Sequence, residues 1–71
     1  MNIISNKIKY ILSLRNMTTK DLANNLGKSE RYFYNKFYKG GFTVEDLEAI
    51  ASVLECDFDV VFTLKDTGRN V

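Results

Sequence analysis

Apolar residues return every third or fourth position through most of the chain, then switch to every second position near its end. Ile8, Ile11 and Leu12, with Arg15, share a helical spacing that predicts a first helix over about 6–16. Thr18 with Asp21 three residues on reads as the N-cap of a second helix, a capping box with Asp in place of the usual Glu or Gln. Leu22, Ala23 and Leu26 supply its buried stripe, and Gly27 stands where a left-handed residue must stop it. Ser29 can cap a third helix that Gly40 and Gly41 end, and Thr43 with Asp46 repeats the capping pattern for a fourth. In that fourth helix Leu47, Ile50, Ala51 and Leu54 face inward. The expected fold is mainly α, with about four to five short helices joined by tight turns.

From Cys56 the period changes. Cys56, Phe58, Val60, Phe62 and Leu64 alternate with Asp57, Asp59, Val61 and Thr63, which predicts a half-buried C-terminal β-strand over 56–64. A strand cannot satisfy its backbone alone. The simplest partner is the same strand of a second copy, paired antiparallel about a two-fold axis, with Phe58, Val60, Val61, Phe62 and Leu64 forming the dimer strand. The alternative is a single extended segment lying across the helices with its edge left to water. Residues 1–64 then form one domain, and 65–71, which lack apolar periodicity, are expected to fray.

Seventy-one residues bury only a thin core, so reinforcement is expected. One cysteine excludes an intramolecular disulfide, and the absence of histidine argues against structural zinc. Reinforcement therefore points again to a homodimer, and Cys56 reads as a small core residue. Asn6, Lys7 and Lys9 interrupt the N-terminal apolar run that a signal peptide needs, and no stretch approaches the roughly 18 apolar residues of a membrane span. A soluble, cytoplasmic protein with no membrane partner is expected. With no histidine, no Gly-rich phosphate loop and no nucleophile–base pair, no enzyme is expected. No catalytic residue, metal, cofactor or small-molecule substrate is assigned.

The net charge is only +1, but its distribution is polar. Residues 1–41 carry Lys7, Lys9, Arg15, Lys20, Lys28, Arg31, Lys36 and Lys39 against Asp21 and Glu30, a balance of +6. Residues 42–71 carry Lys65 and Arg69 against Glu45, Asp46, Glu48, Glu55, Asp57, Asp59 and Asp66, a balance of −5. The basic half can steer toward phosphate; the alternative is solvated charge with no partner.

The third helix is the densest segment. "SERYFYNKFYKGG", residues 29–41, packs five aromatic side chains into seven positions, threaded by Arg31, Asn35, Lys36 and Lys39. At about 100° per residue, Phe33 and Phe37 share one face and are expected against Leu22, Leu26 and Leu47. Tyr34 and Tyr38 flank that face as the rim of the core. Arg31, Asn35 and Lys39 lie opposite, with Tyr32 next to Lys39.

Helix, glycine turn and helix between Thr18 and Gly40 fit a helix-turn-helix. Thr18, Asp21, Leu22, Ala23, Gly27 and Ser29, followed by Phe33 and Phe37, resemble the phage Cro/repressor type of helix-turn-helix, the XRE-like family, over residues 8 to about 64. Thr19 stands where relatives commonly have Gln, Lys28 where an aliphatic residue usually follows the turn glycine, and Glu55 where a glycine is expected; none changes the spacing. The resemblance implies that the outward face of the third helix enters the DNA major groove. Glu30, Arg31, Tyr32 and Asn35 are then candidate base contacts: Arg31 to guanine, Asn35 to adenine, Glu30 to a cytosine amino group or simply a favourable charge at the helix start, Tyr32 to a thymine methyl or a phosphate. Thr18, Thr19, Lys20, Lys28, Ser29, Lys36 and Lys39 are candidate phosphate contacts, which position without reading sequence.

The expected function is a sequence-specific regulator of transcription, repressor-like, binding double-stranded DNA as a homodimer on a two-fold symmetric operator. The alternative is a protein-interaction module, an antitoxin or inhibitor, that uses the same aromatic helix to hold a partner protein. Steep salt dependence belongs to the first and not to a mainly apolar protein interface.

Overall fold

A computed structural model describes residues 3–71, so the first two residues of the expected 1–64 domain lie outside the described residues. The helices among the described residues are α1 (Ile3–Leu14), α2 (Thr19–Leu26), α3 (Glu30–Lys39) and α4 (Val44–Val53). Their boundaries have local causes. Thr18 and Thr43 adopt extended backbones, and their hydroxyls accept the amides of Asp21 and Asp46, both at 3.1 Å. Each aspartate answers by accepting its threonine's amide, at 2.9 and 3.0 Å. Both expected capping boxes are therefore closed. The ends follow a second rule. Asn16, Gly27 and Glu55 have φ of 55°, 67° and 55°. The next amide in each case reaches back to a carbonyl of the last turn: Met17 to Leu12 at 2.9 Å, Lys28 to Ala23 at 2.9 Å, Cys56 to Ala51 at 2.8 Å. This closure satisfies carbonyls that would otherwise be orphaned. α1 starts at Ile3, earlier than its apolar spacing predicts, and stops earlier because Asn16 takes the left-handed conformation.

The core is Ile8, Leu12, Leu22, Ala23, Phe33, Phe37, Ile50 and Leu54, with Ile11, Met17, Leu26, Phe42 and Leu47 half-buried against it. α2 packs on α3 and α4, and α1 packs on α3. Phe33 and Phe37 are each 2 % exposed and stack tilted at 6.3 Å. Burying one such ring stabilises by roughly 1.5–3 kcal/mol, so this pair anchors α3. Ser5, fully buried in α1, donates from Oγ to the Phe37 carbonyl at 3.1 Å. The α1–α3 contact is thus fastened by a polar bond as well as by packing.

The C-terminal strand does not form. Among the described residues no strand spans any part of 56–64, and no ladder carries Phe58, Val60, Val61, Phe62 or Leu64. All five are exposed, from 36 % at Phe58 to 72 % at Phe62, so the alternation separates no buried face from a wet one. The physical reason is the one that called for a partner: within one chain there is no neighbouring edge for 57–61. The pairing that does occur is local. Residues 65–71, expected to fray, turn back at Gly68. Phe62 and Val71 exchange amide–carbonyl bonds at 3.2 and 2.8 Å, and Thr63 bridges Asn70 antiparallel. Cys56 is half-buried beside the core, its thiol donating to the Leu54 carbonyl at 3.4 Å. No helix among the described residues is long and apolar enough to cross a membrane.

Candidate nucleic-acid interface

The interface is built by two helices and the turn between them. Gly27 ends α2 in the left-handed region, Lys28 follows, and Ser29 Oγ caps α3 by accepting the Tyr32 amide at 3.1 Å. The turn sets the direction of α3, and Phe33 and Phe37 fix its rotation by sinking into the core. The opposite side is then forced outward. Arg31, Asn35 and Lys39 are exposed, and among the described residues none of their side chains has a hydrogen bond or ion pair. One guanidinium, one carboxamide and one ammonium, at four-residue steps on one helix, stand with their donors uncommitted. That is the pattern of groups that reads base edges and phosphates.

Other candidates are already engaged. Lys36 donates to the Gly41 carbonyl at 2.9 Å and pairs with Asp46 at 3.5 Å, tying the end of α3 to the start of α4. Its ammonium, at 5.5 Å, and that of Lys28, at 5.1 Å, also flank the Tyr32 ring. Tyr32 is half-buried and meets Phe33 edge-on at 5.2 Å, so its ring is set against the core with both ammoniums near it. Glu30 accepts from the Tyr34 hydroxyl at 3.3 Å while lying in the first turn of α3, where a negative charge is favoured. The Thr18 hydroxyl is occupied by its capping box. The amides of Thr19 and Lys20 open α2 without acceptors among the described residues, as the first amides of a helix do.

Two carboxyls are tuned by this architecture. The Thr18 amide, then its hydroxyl, hold the Asp21 carboxyl below the ordinary aspartate range; burial opposes weakly and Lys20 adds to the lowering. The Thr43 amide does the same for Asp46, against burial, with help from the Thr43 hydroxyl and Lys36. Both aspartates are therefore anionic caps. Among the described residues no group of His, Cys, Asp and Glu is placed to hold a metal ion.

Sequence reasoning missed three features. Tyr34 and Tyr38, read as the rim of the core, are 52 % and 76 % exposed. The pairing of Lys36, a candidate phosphate contact, with Asp46 is not anticipated, although Asp46 itself is recognisable as a cap. Arg15, grouped with the apolar stripe of α1, is exposed and bonds the carbonyls at the end of α4. For the last of these, an arginine closing an otherwise apolar helical stripe was the available signal.

Comparison with known proteins adds one finding. A family model described as the Cro/C1-type HTH DNA-binding domain matches residues 7–66. No curated protein and no solved structure matches significantly.

Proposed function

The chain belongs to the Cro/C1-type HTH DNA-binding domain family, and on that premise we propose that it is a sequence-specific, repressor-like regulator that occupies a two-fold symmetric operator as a homodimer. The observation that carries this reading is the uncommitted strip of Arg31, Asn35 and Lys39 on a helix whose other face is anchored by Phe33 and Phe37. Arg31 pairs with guanine and Asn35 with adenine, each discriminating by roughly 1–3 kcal/mol. Tyr32 meets a thymine methyl or a phosphate, and Glu30, held by Tyr34, serves α3 as an N-terminal charge. Lys20, Lys28 and Lys39 meet phosphates, joined by the Thr19 amide and the Ser29 hydroxyl. Lys36 stays with Asp46 and Gly41.

The homodimer reading rests on the arm after α4. Phe58, Val60, Val61, Phe62 and Leu64 stand exposed there, and the amides of 57–59 and 61 have no partner within the chain among the described residues. A second copy covers these groups and sets two copies of α3 about 34–36 Å apart, one turn of DNA.

Selection from randomised duplex DNA tests the proposal. Two inverted half-sites one turn apart are expected, with one guanine position lost in Arg31→Ala and one adenine position lost in Asn35→Ala. Recovery of no preferred sequence would count against it.

A further inference from the structure

Every phosphate contact so far assigned lies on one side of α3 or on the α2 end that approaches it. Around the axis, Lys39 and Tyr32 follow Asn35 in one direction, with Lys28 and the start of α2 beyond them. In the other direction from Asn35 come Arg31, Tyr38 and Tyr34, at about 100° per residue. A helix with its side chains is about 10–12 Å across, and the major groove is about 12 Å wide. A helix that reaches the groove floor with Arg31 and Asn35 therefore meets both sugar–phosphate walls. The second wall faces Tyr34 and Tyr38.

That flank is not bland surface. Lys9 of α1, Tyr34, Phe37 and Tyr38 enclose an open depression of about 360 Å³. Lys9 Nζ sits over the Phe37 ring, 5.3 Å from its centroid, and this holds the ammonium at the depression. Tyr38 is 76 % exposed, and among the described residues its hydroxyl has no partner. The Tyr34 hydroxyl donates to Glu30, the nearest carboxylate on α3. Glu30 lies eight residues before Tyr38, about 12 Å along the axis, so the Tyr38 end is the cationic end.

We propose that Lys9 and Tyr38 form a second phosphodiester-binding site, which takes the backbone on the wall of the major groove opposite to Lys28 and Lys39. The inference rests on the DNA-reading assignment of α3 and extends it to α1, which had no nucleic-acid role. Lys9 supplies charge to a phosphate oxygen, and Tyr38 donates a hydrogen bond to the same backbone. Because neither reaches a base edge, both add affinity without altering sequence preference. Clamping α3 from both walls also fixes the depth at which Arg31 meets its base.

Fluorescence anisotropy of the full chain on a selected duplex and on a scrambled one, over a salt series, tests this. Lys9→Gln is expected to lower the slope of log K against log salt by about 0.9 per protomer and to weaken both duplexes equally, whereas Lys9→Arg keeps the slope. Tyr38→Phe is expected to weaken both duplexes a few-fold with thermal melting unchanged. Arg31→Ala, run beside them, separates the two claims. If Arg31→Ala abolishes the preference while Lys9→Gln and Tyr38→Phe leave affinity and slope at the wild-type values, the second site is refuted and the reading of α3 stands. If the wild type shows neither affinity nor preference for any duplex, both are overturned.

Discussion

The guanidinium of Arg15, at the end of α1, closes the C-terminus of α4. Its Nε donates to the Leu54 carbonyl at 2.9 Å and Nη2 to the Glu55 carbonyl at 3.2 Å. A cation at the negative end of a helix dipole is favourable, and here it also supplies donors to carbonyls left over by the helix. The same clamp fixes where the arm departs from the helical body. Arg15→Met should keep the stem and lose the donors, lowering stability by about 1–2 kcal/mol. Thermal melting checks this, with an expected drop of several degrees for a domain of this size. An unchanged melting temperature would show that the clamp is idle.

Glu55 sits next to that clamp in a conformation that suits glycine. Its φ of 55° lies in the left-handed region, where a side chain with a β-carbon is strained. Glu55→Gly should therefore raise stability, by about 0.5–1 kcal/mol after the entropy of the freer chain is counted. A higher urea midpoint with an unchanged slope is the expected result.

The two anionic caps predict an acid-labile fold. Asp21 and Asp46 both have carboxyls held below their unfolded values. A depressed folded pKa contributes stability that is fully present above the unfolded value and is lost as pH falls through the folded one. Stability should thus be level above about pH 5 and fall once the pH drops below roughly 4. Asp21→Asn with Asp46→Asn should flatten that fall, measured as urea midpoints across the pH range.

Phe62 separates association from folding. At 72 % exposed it contributes little to the core of one copy. Phe62→Asp should leave helical content and melting of the monomer unchanged and lower self-association, as read by sedimentation at micromolar concentration. A variant that self-associates as strongly as the wild type would remove the arm from the proposed interface.

Much of this architecture is legible along the chain because its causes are local. Thr18 with Asp21, Ser29, Thr43 with Asp46, and Gly27 announce helix ends by chemistry acting within three or four residues, and the structure closes all of them. Phe33 and Phe37 announce the buried face of α3 by spacing alone. What was not legible depends on partners far away. Ser5 is buried because the Phe37 carbonyl, 32 residues on, accepts a hydrogen bond from its hydroxyl. Arg15 is diverted from the apolar stripe by carbonyls about 40 residues on. The alternation in 56–64 spells a strand, but a strand is a property of two edges, and within the chain only 62–64 meets a second one, in 69–71. Tyr34 and Tyr38 carry the same rings as buried aromatics, and the packing of α1 on α3 leaves both exposed.

Binding of double-stranded DNA in its sequence-specific form is tested most directly by Arg31. On the duplex recovered by selection, anisotropy over a salt series should show tight, salt-sensitive binding by the wild type and a preference over scrambled DNA. Arg31→Ala should lose roughly 1–3 kcal/mol on the selected duplex and almost nothing on the scrambled one. Weak binding without preference, unmoved by Arg31→Ala, would contradict the assignment of α3 as the helix that reads the operator.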